Sequence, residues 1–237
     1  MRLLRSPLLE SPHGFTTREG GVSKGPYATL NLSFGVGDAP ERVAENRRRV
    51  LSAFGSPPLF TLDQVHGAEV ALAEGPGKAE ADAVVTRVPG LLLAVSVADC
   101  YPVLFEDPQT GAVGAAHAGW RGVAAGVVEN VVETMQAAFQ TRPQDLRVAI
   151  GPGICGRCYQ VGPEVVAAVG GFAVPDPRAE GKYLLDLPRA IEERLRALGV
   201  RRIWQAGVCT YEDEGLFSYR RQGKRSGRMW GVIHRAL

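Results

Sequence analysis

Residues 94–122, AVSVADCYPVLFEDPQTGAVGAAHAGWRG, set the tightest local limit on this chain. Two apolar segments flank DPQT at 107–110, where Asp107 opens and Pro108 follows as a type I turn prefers, with Gly111 just beyond. The segments read as a hairpin. With those four residues as its loop, Glu106 pairs with Gly111, and the register carried back opposes residue 104 to 113 and Cys100 to His117. Directly opposed residues hold their Cβ atoms about 4.5–5.5 Å apart, so a thiolate and an imidazole there can share one ion or one proton. Pro102 stands against this register, because proline donates nothing to a central ladder.

Strand and helix signals surround the hairpin. ERVAENRRRVLSAFG (41–55) has helical spacing, with Val43, Val50, Leu51 and Phe54 on one stripe. LFTLDQVHGAEVALAE (59–74) alternates apolar and polar residues as a half-buried strand or hairpin does, and residues 81–119 supply at least three further strands. From Val123 to Phe139, a second helix places Ala124, Val127, Val128, Val131, Met135 and Ala138 on one face. DLPRAIEERLRALG (186–199) is a third, opened by Asp186 as N-cap with Pro188 in the first turn and closed by Gly199. RRIWQAGVC (201–209) and MWGVIHRAL (229–237) read as strands. Consecutive strands with helices inserted favour an α+β layered fold over a doubly wound parallel sheet. No linker, charge block or low-complexity run divides the chain, so residues 1–237 are expected to form one domain.

The net charge of +2 argues against a general nucleic-acid binder. Basic residues number 27, only four of them lysine, and the arginine excess suits planar anion recognition or is a mere coding bias. The basic run YRRQGKRSGR (219–228) reads as a solvated loop. MRLLRSPLLESPHGF has no apolar core long enough for a signal peptide, and no window approaches a membrane span, so the expected location is the cytoplasm. Cys100, Cys155, Cys158 and Cys209 are then reduced thiols or ligands. Cys155 and Cys158 form a Cys-x-x-Cys, but no second such pair exists and Cys209 stands alone in sequence, so a four-thiolate site is excluded and the pair reads as incidental or structural.

His117 is followed by Ala-Gly-Trp-Arg-Gly and then a helix, whose N-terminus is an anion site with Arg121 at its mouth. Of four histidines, His66 in DQVHG also sits beside a glycine turn, which makes it a candidate to join Cys100 and His117.

TTREGGVS, NLSFGVGD, DQVHG, DAVVT, VADCYPVLF, AAHAGWRG, IGPGICGRCYQVG and FSYRRQGKRSGRM together resemble the YfiH-like family, also called the laccase-domain or polyphenol oxidase family. The resemblance spans about Gly14 to Ile233. It implies a single-domain α/β/β/α sandwich similar to the catalytic domain of cytotoxic necrotizing factor, and a zinc site at His66, Cys100 and His117. Family members commonly read Leu-His where this chain has Phe34-Gly35, so any role of that histidine is absent here.

Two imidazoles and a thiolate leave tetrahedral zinc one open position, the mark of a catalytic site. A His2Cys set also resembles blue copper, but a multicopper oxidase needs a further histidine cluster, and only His13 and His234 remain. The resemblance implies instead purine nucleoside phosphorylase activity on adenosine, inosine and methylthioadenosine, with some adenosine deaminase activity. Arg18 and Arg121 are the candidate phosphate clamp, and Asn31, Gln64 and Asp99 are candidates for ribose or base contacts. Deamination ranks second, since no His-x-Glu surrounds His117, although Glu69 follows His66 by three. The competing reading is a metal-free amide hydrolase, acting on cell-wall precursors, with Cys100 as nucleophile and His117 as base. A non-catalytic binding protein would need none of these residues.

Overall fold

Along Val103-Leu104-Phe105 and Ala83-Val84-Val85, successive side chains point to opposite faces of a sheet, and the apolar core divides accordingly. Leu104 and Val84 pack between two sheets, whereas Val103, Phe105, Ala83 and Val85 pack under helices. The computed structural model in which this is seen describes residues 1–236. Its strands in chain order are β1 (Leu3–Leu4), β2 (His13–Thr16), β3 (Leu59–Asp63), β4 (Val70–Leu72), β5 (Gly77–Glu80), β6 (Ala83–Thr86), β7 (Leu92–Val97) and β8 (Tyr101–Asp107). They continue as β9 (Ala112–Ala118), β10 (Arg147–Ile150), β11 (Gln160–Val161), β12 (Ala173–Pro175), β13 (Tyr183–Leu185), β14 (Arg202–Gln205) and β15 (Met229–Ile233). The helices are α1 (Pro40–Ser52), α2 (Trp120–Ala125), α3 (Val127–Phe139), α4 (Pro163–Val169), α5 (Leu187–Ala197) and α6 (Tyr219–Gln222).

One sheet runs β1-β2-β15-β7-β3-β5 and the second β14-β10-β8-β9-β6-β4, with β11-β13-β12 as a small third. Phe15, Leu93, Val95, Leu104, Ala115 and Ile233 fill the space between the large sheets. On the outer face of the first sheet, Val50 of α1 packs with Leu92, Trp230 and Val232. On the outer face of the second, α3 and α5 contribute Val131, Met135, Ile191 and Leu195. The architecture is therefore the layered α/β/β/α arrangement of an α+β fold, and the sheets mix parallel and antiparallel pairs.

The hairpin forms, two residues out of the expected register. Asp107 pairs with Ala112 and Pro102 with His117, because the loop takes in Gly111 at φ +73 and Asp107 ties it down. The Asp107 carboxylate accepts from the Gln109 amide at 2.9 Å and the Thr110 hydroxyl at 2.7 Å, while its carbonyl accepts from the Gly111 amide. A two-residue shift leaves every side chain on its face. Carried one step past the pair Tyr101–Ala118, the ladder sets Cys100 opposite Gly119, with His117 diagonal to it. The Pro102 carbonyl accepts from Gly151, just beyond the last β8–β10 pair at Val103–Ile150, so its missing donor falls past the ladder's end.

Three further expectations are corrected. Residues 59–74 are not one strand or hairpin: β3 lies in the first sheet and β4 in the second, and the chain crosses between them. The helix expected over 123–139 starts at Trp120 and breaks at Gly126, whose φ of +90 ends α2 after six residues. Ala138 faces solvent, and Val132 and Phe139 are buried in its stead. The last two strands are shorter than read, β14 stopping at Gln205 and β15 at Ile233, while Leu237 lies outside the described residues. The third helix keeps its ends: the Asp186 side chain accepts from the Arg189 amide, and Gly199 takes φ +94.

Candidate functional site

Two crossings between the large sheets meet at one corner. After β3, the Gln64 amide behaves like a further strand residue, accepting from the Ser96 amide at 2.7 Å and donating to its carbonyl at 2.8 Å. The Asp82 carboxylate then gathers the amides of Val65 (3.1 Å), His66 (3.0 Å) and Gly67 (2.7 Å), and the chain wraps around it with His66 at φ +62. A left-handed backbone at a non-glycine residue costs free energy, and the Asp82 bonds hold it there. The second crossing joins β7 to β8 through Asp99 at φ +88. Its carboxylate accepts from the Thr210 hydroxyl and the Arg220 amide, both at 2.6 Å. Cys100 follows, and His117 comes from the end of β9.

The ligating atoms of His66, Cys100 and His117 all lie within 4.8 Å of one another, and the two imidazole rings are 4.8 Å apart at 80°. Gly119 leaves the necessary space, since a Cβ there would stand 2.8 Å from Cys100 Sγ. His117 Nδ1 is 2.8 Å from Asp82 Oδ1, and both residues are buried, so Nε2 is the nitrogen available to a ligand. A carboxylate behind a ligating imidazole fixes its tautomer and raises its basicity. Zinc takes nitrogen and sulfur donors about 2.0–2.3 Å away, and this trio converges closely enough to serve one such ion. Burial by itself would raise the Cys100 thiol, but the charge on His117 and hydrogen bonds from His117 and His66 bring it down to about 6. Burial also opposes charge on His117, yet the Cys100 thiolate and Asp82 raise it to about 9. At neutral pH the metal-free trio is thus a thiolate beside an imidazolium, ready to exchange its proton for a cation.

The trio lies in a cleft of about 890 Å³. Gln64, Asp99 and Arg121 line it as the sequence suggested, although the first two spend their side-chain polar groups on the backbone and hydroxyl bonds above. Arg121 is exposed, its guanidinium over the Trp120 ring at 4.5 Å. The six-residue α2 offers little dipole, so the cationic group at this end of the cleft is the Arg121 side chain rather than a long helix terminus.

Arg18 and Asn31 are not part of the lining. Arg18 Nε donates to the Ala28 carbonyl at 2.6 Å and its guanidinium covers Phe217 at 4.8 Å. Asn31 is fully buried, bonded to Asp38 and to the amide of Arg228. Both are ties between loops, which glycine-flanked polar residues in a sequence do not distinguish from ligand contacts. The run at 219–228 is more than a solvated loop, since Tyr219, Arg220 and Arg228 all face the cleft, with Trp120 and Tyr159 as further aromatic walls. Phe34 and Gly35 are on the wall too, so the departure from Leu-His falls on the cleft. Asp82, which bonds to the His66 amide and to His117 Nδ1, is not marked by the sequence as part of the site. Its only signal was its place at the head of DAVVT. Cys209, alone in sequence, is brought beside Cys155 and Cys158 together with Glu212.

Residues 12–236 match the family model described as multi-copper polyphenol oxidoreductase laccase. Among curated proteins, the chain is 46% identical over 235 residues to a purine nucleoside phosphorylase of Deinococcus radiodurans, covering 98% of this chain and 92% of that one. It is 42% identical over 230 residues to purine nucleoside phosphorylase YfiH of Escherichia coli, covering 92% and 91%. Among solved structures, YlmD from Geobacillus stearothermophilus superposes with a TM-score of 0.91 at 36% identity, over 98% of this chain and 94% of that one.

Proposed function

The chain belongs to the family described as multi-copper polyphenol oxidoreductase laccases, and from that premise we propose that its cleft performs zinc-dependent phosphorolysis of purine nucleosides: adenosine, inosine and methylthioadenosine. The observation that carries this reading is the convergence of His66, Cys100 and His117 in a cleft walled by aromatic rings and arginines. The names of the relatives from Deinococcus radiodurans and Escherichia coli support the reaction class. Copper oxidation has less support, because His13 is tied to the Ser6 amide and Ser11 carbonyl and His234 packs on Phe54, which leaves no histidine cluster beside the trio among the described residues.

In phosphorolysis a phosphate oxygen bonds to the ribose C1′, the bond from C1′ to the purine nitrogen breaks, and the base departs with that electron pair and takes up a proton. The products are the free base and the sugar 1-phosphate, ribose 1-phosphate from adenosine or inosine and methylthioribose 1-phosphate from methylthioadenosine. Zinc held by His66, Cys100 and His117 would supply a Lewis acid with one open position. Arg121, without a carboxylate or carbonyl partner among the described residues, is the donor fork for phosphate; Arg220 lines the same cleft, and although its Nη1 donates to the Gln160 carbonyl at 2.7 Å, its remaining donors adjoin that fork in place of Arg18. Trp120 and Tyr159 offer faces for the purine. Asp82 orients His117 and takes no part in bond making. Adenosine deamination is a secondary activity at most: the lining carboxylates are Asp63, paired with Lys78, and Asp99, committed to Thr210 and Arg220, while Glu69 is not in the lining.

The amide-hydrolase reading keeps one specific support, because Cys100, His117 and Asp82 stand in the order nucleophile, base and orienting carboxylate. His66 has no role in that triad, and its convergence with the other two favours the metal. We also read residues 1–237 as one domain, since β2 and β15 from opposite chain ends pair in one sheet. The four free thiols favour the cytoplasm, and no helix is long and apolar enough to cross a membrane among the described residues. His117→Ala tests the assignment: phosphate-dependent base release should vanish while circular dichroism stays native, and retained turnover in the folded variant would refute it.

A further inference from the structure

Cys155 and Cys158 lie between β10 and β11, and Cys209 and Glu212 lie after β14, so the fold brings a Cys-x-x-Cys against a Cys-x-x-Glu. The three sulfurs and a Glu212 carboxylate oxygen are all within 4.8 Å of one another. The loops are held in register, with Gly153 bridged to Cys209 by backbone pairing and the Cys155 amide donating to Cys209 Sγ at 3.3 Å. Cys158 Sγ is 3.3 Å from Glu212 Oε1, and Arg157 pairs with the other Glu212 oxygen at 2.8 Å. Cys209 is buried, Cys155 and Cys158 are half-buried, and Glu212 is exposed, so the cluster has one thiol in the interior and its carboxylate at the surface.

We propose that Cys155, Cys158, Cys209 and Glu212 form a second metal site, which holds a structural zinc ion through three thiolates and one carboxylate. Four protein donors close a tetrahedral shell, in contrast to the three-donor trio in the cleft, and a closed shell contributes folding free energy rather than chemistry. Soft thiolates select zinc over the hard cations that oxygen donors would favour. Sequence spacing hides the site because its two halves are about fifty residues apart and one of the four donors is a carboxylate. Its place in the fold gives it a task. Ile154 and Tyr159, which bracket the Cys pair, line the active cleft, and Thr210, next to Cys209, bonds to Asp99 beside Cys100. An ion here staples the two loops that set one wall of that cleft. A Cys155–Cys158 disulfide would be a poorer use of the geometry, since it leaves Cys209 and Glu212 without the partner toward which both converge.

The test does not depend on the reaction proposed for the cleft. In Cys100→Ala the cluster is the sole source of thiolate ligands, so the chelated variant, reconstituted with cobalt, should bind one ion per chain with an intense sulfur-to-cobalt charge-transfer absorption. N-ethylmaleimide labelling of Cys155, Cys158 and Cys209, mapped by mass spectrometry, should slow about tenfold or more on metal addition. The same mapping on the wild type, read separately from Cys100, serves if Cys100→Ala does not fold. No charge-transfer band, labelling indifferent to metal, or a Cys155–Cys158 disulfide in the purified protein would overturn the site.

Discussion

Asp82 Oδ1 lies 2.8 Å from His117 Nδ1 and accepts the backbone amide of His66 at 3.0 Å. One buried carboxylate therefore aims one imidazole and fixes the backbone that carries the other. Asp82→Asn keeps the volume but loses the negative charge and one acceptor oxygen. Metal affinity at the trio should fall about 10–100-fold, as loss of such supporting groups commonly does. Competition against a chromophoric chelator measures it, and an unchanged affinity in a folded variant would remove Asp82 from the site.

The lowered Cys100 thiol gives a pH signature. Because its value falls to about 6, the metal-stripped protein carries the thiolate above that pH and the neutral thiol below it. Iodoacetamide labelling of Cys100 should rise with a midpoint about 6, well under the ~8.5 of a free cysteine. A midpoint near that of free cysteine would mean the neighbouring imidazoles do not stabilise the thiolate.

Gly119 is required by space rather than by backbone conformation, since its φ is −85 and a Cβ would meet Cys100 Sγ at 2.8 Å and His66 Cδ2 at 3.4 Å. Gly119→Ala should cost about 1–3 kcal/mol of stability, typical of overpacking. Its larger effect should be loss of stoichiometric metal from the trio. Equal metal content and activity in this variant would show that Cys100 can move aside.

Arg121→Ala should raise the phosphate KM about tenfold or more while the nucleoside KM changes little. Arg18→Ala should do the reverse of what its glycine-rich motif suggests, leaving phosphate KM alone and lowering stability by about 1–3 kcal/mol through the lost Ala28 bond and Phe217 contact. Steady-state kinetics with thermal melts separates the two, and a phosphate KM insensitive to Arg121 would dismiss it as a clamp.

That Cys100 and His117 share a sheet face was legible because DPQT marks a turn between two apolar segments; the two-residue register error turns direct partners into diagonal neighbours but keeps both on that face. The glycine turn in DQVHG marks His66 as a candidate, but its approach to the other two rests on the resemblance. Its cause is Asp82, whose carboxylate folds a loop 15–17 residues away in sequence, and no local pattern announces such a bond. Arg220 and Arg228 were hidden for another reason: a basic run looks the same whether it faces solvent or a cleft. The layered fold was readable from strand order, whereas the crossing after β3 was not, because alternation continues on both sides of it.

The most direct measurement of the central claim is chromatography of the products formed from adenosine, with and without phosphate. Phosphorolysis predicts adenine and ribose 1-phosphate in equal amounts, with base release only when phosphate is present. Inosine formed at the same rate in both conditions would make the protein a deaminase, and adenine released without phosphate would contradict the phosphorylase account outright.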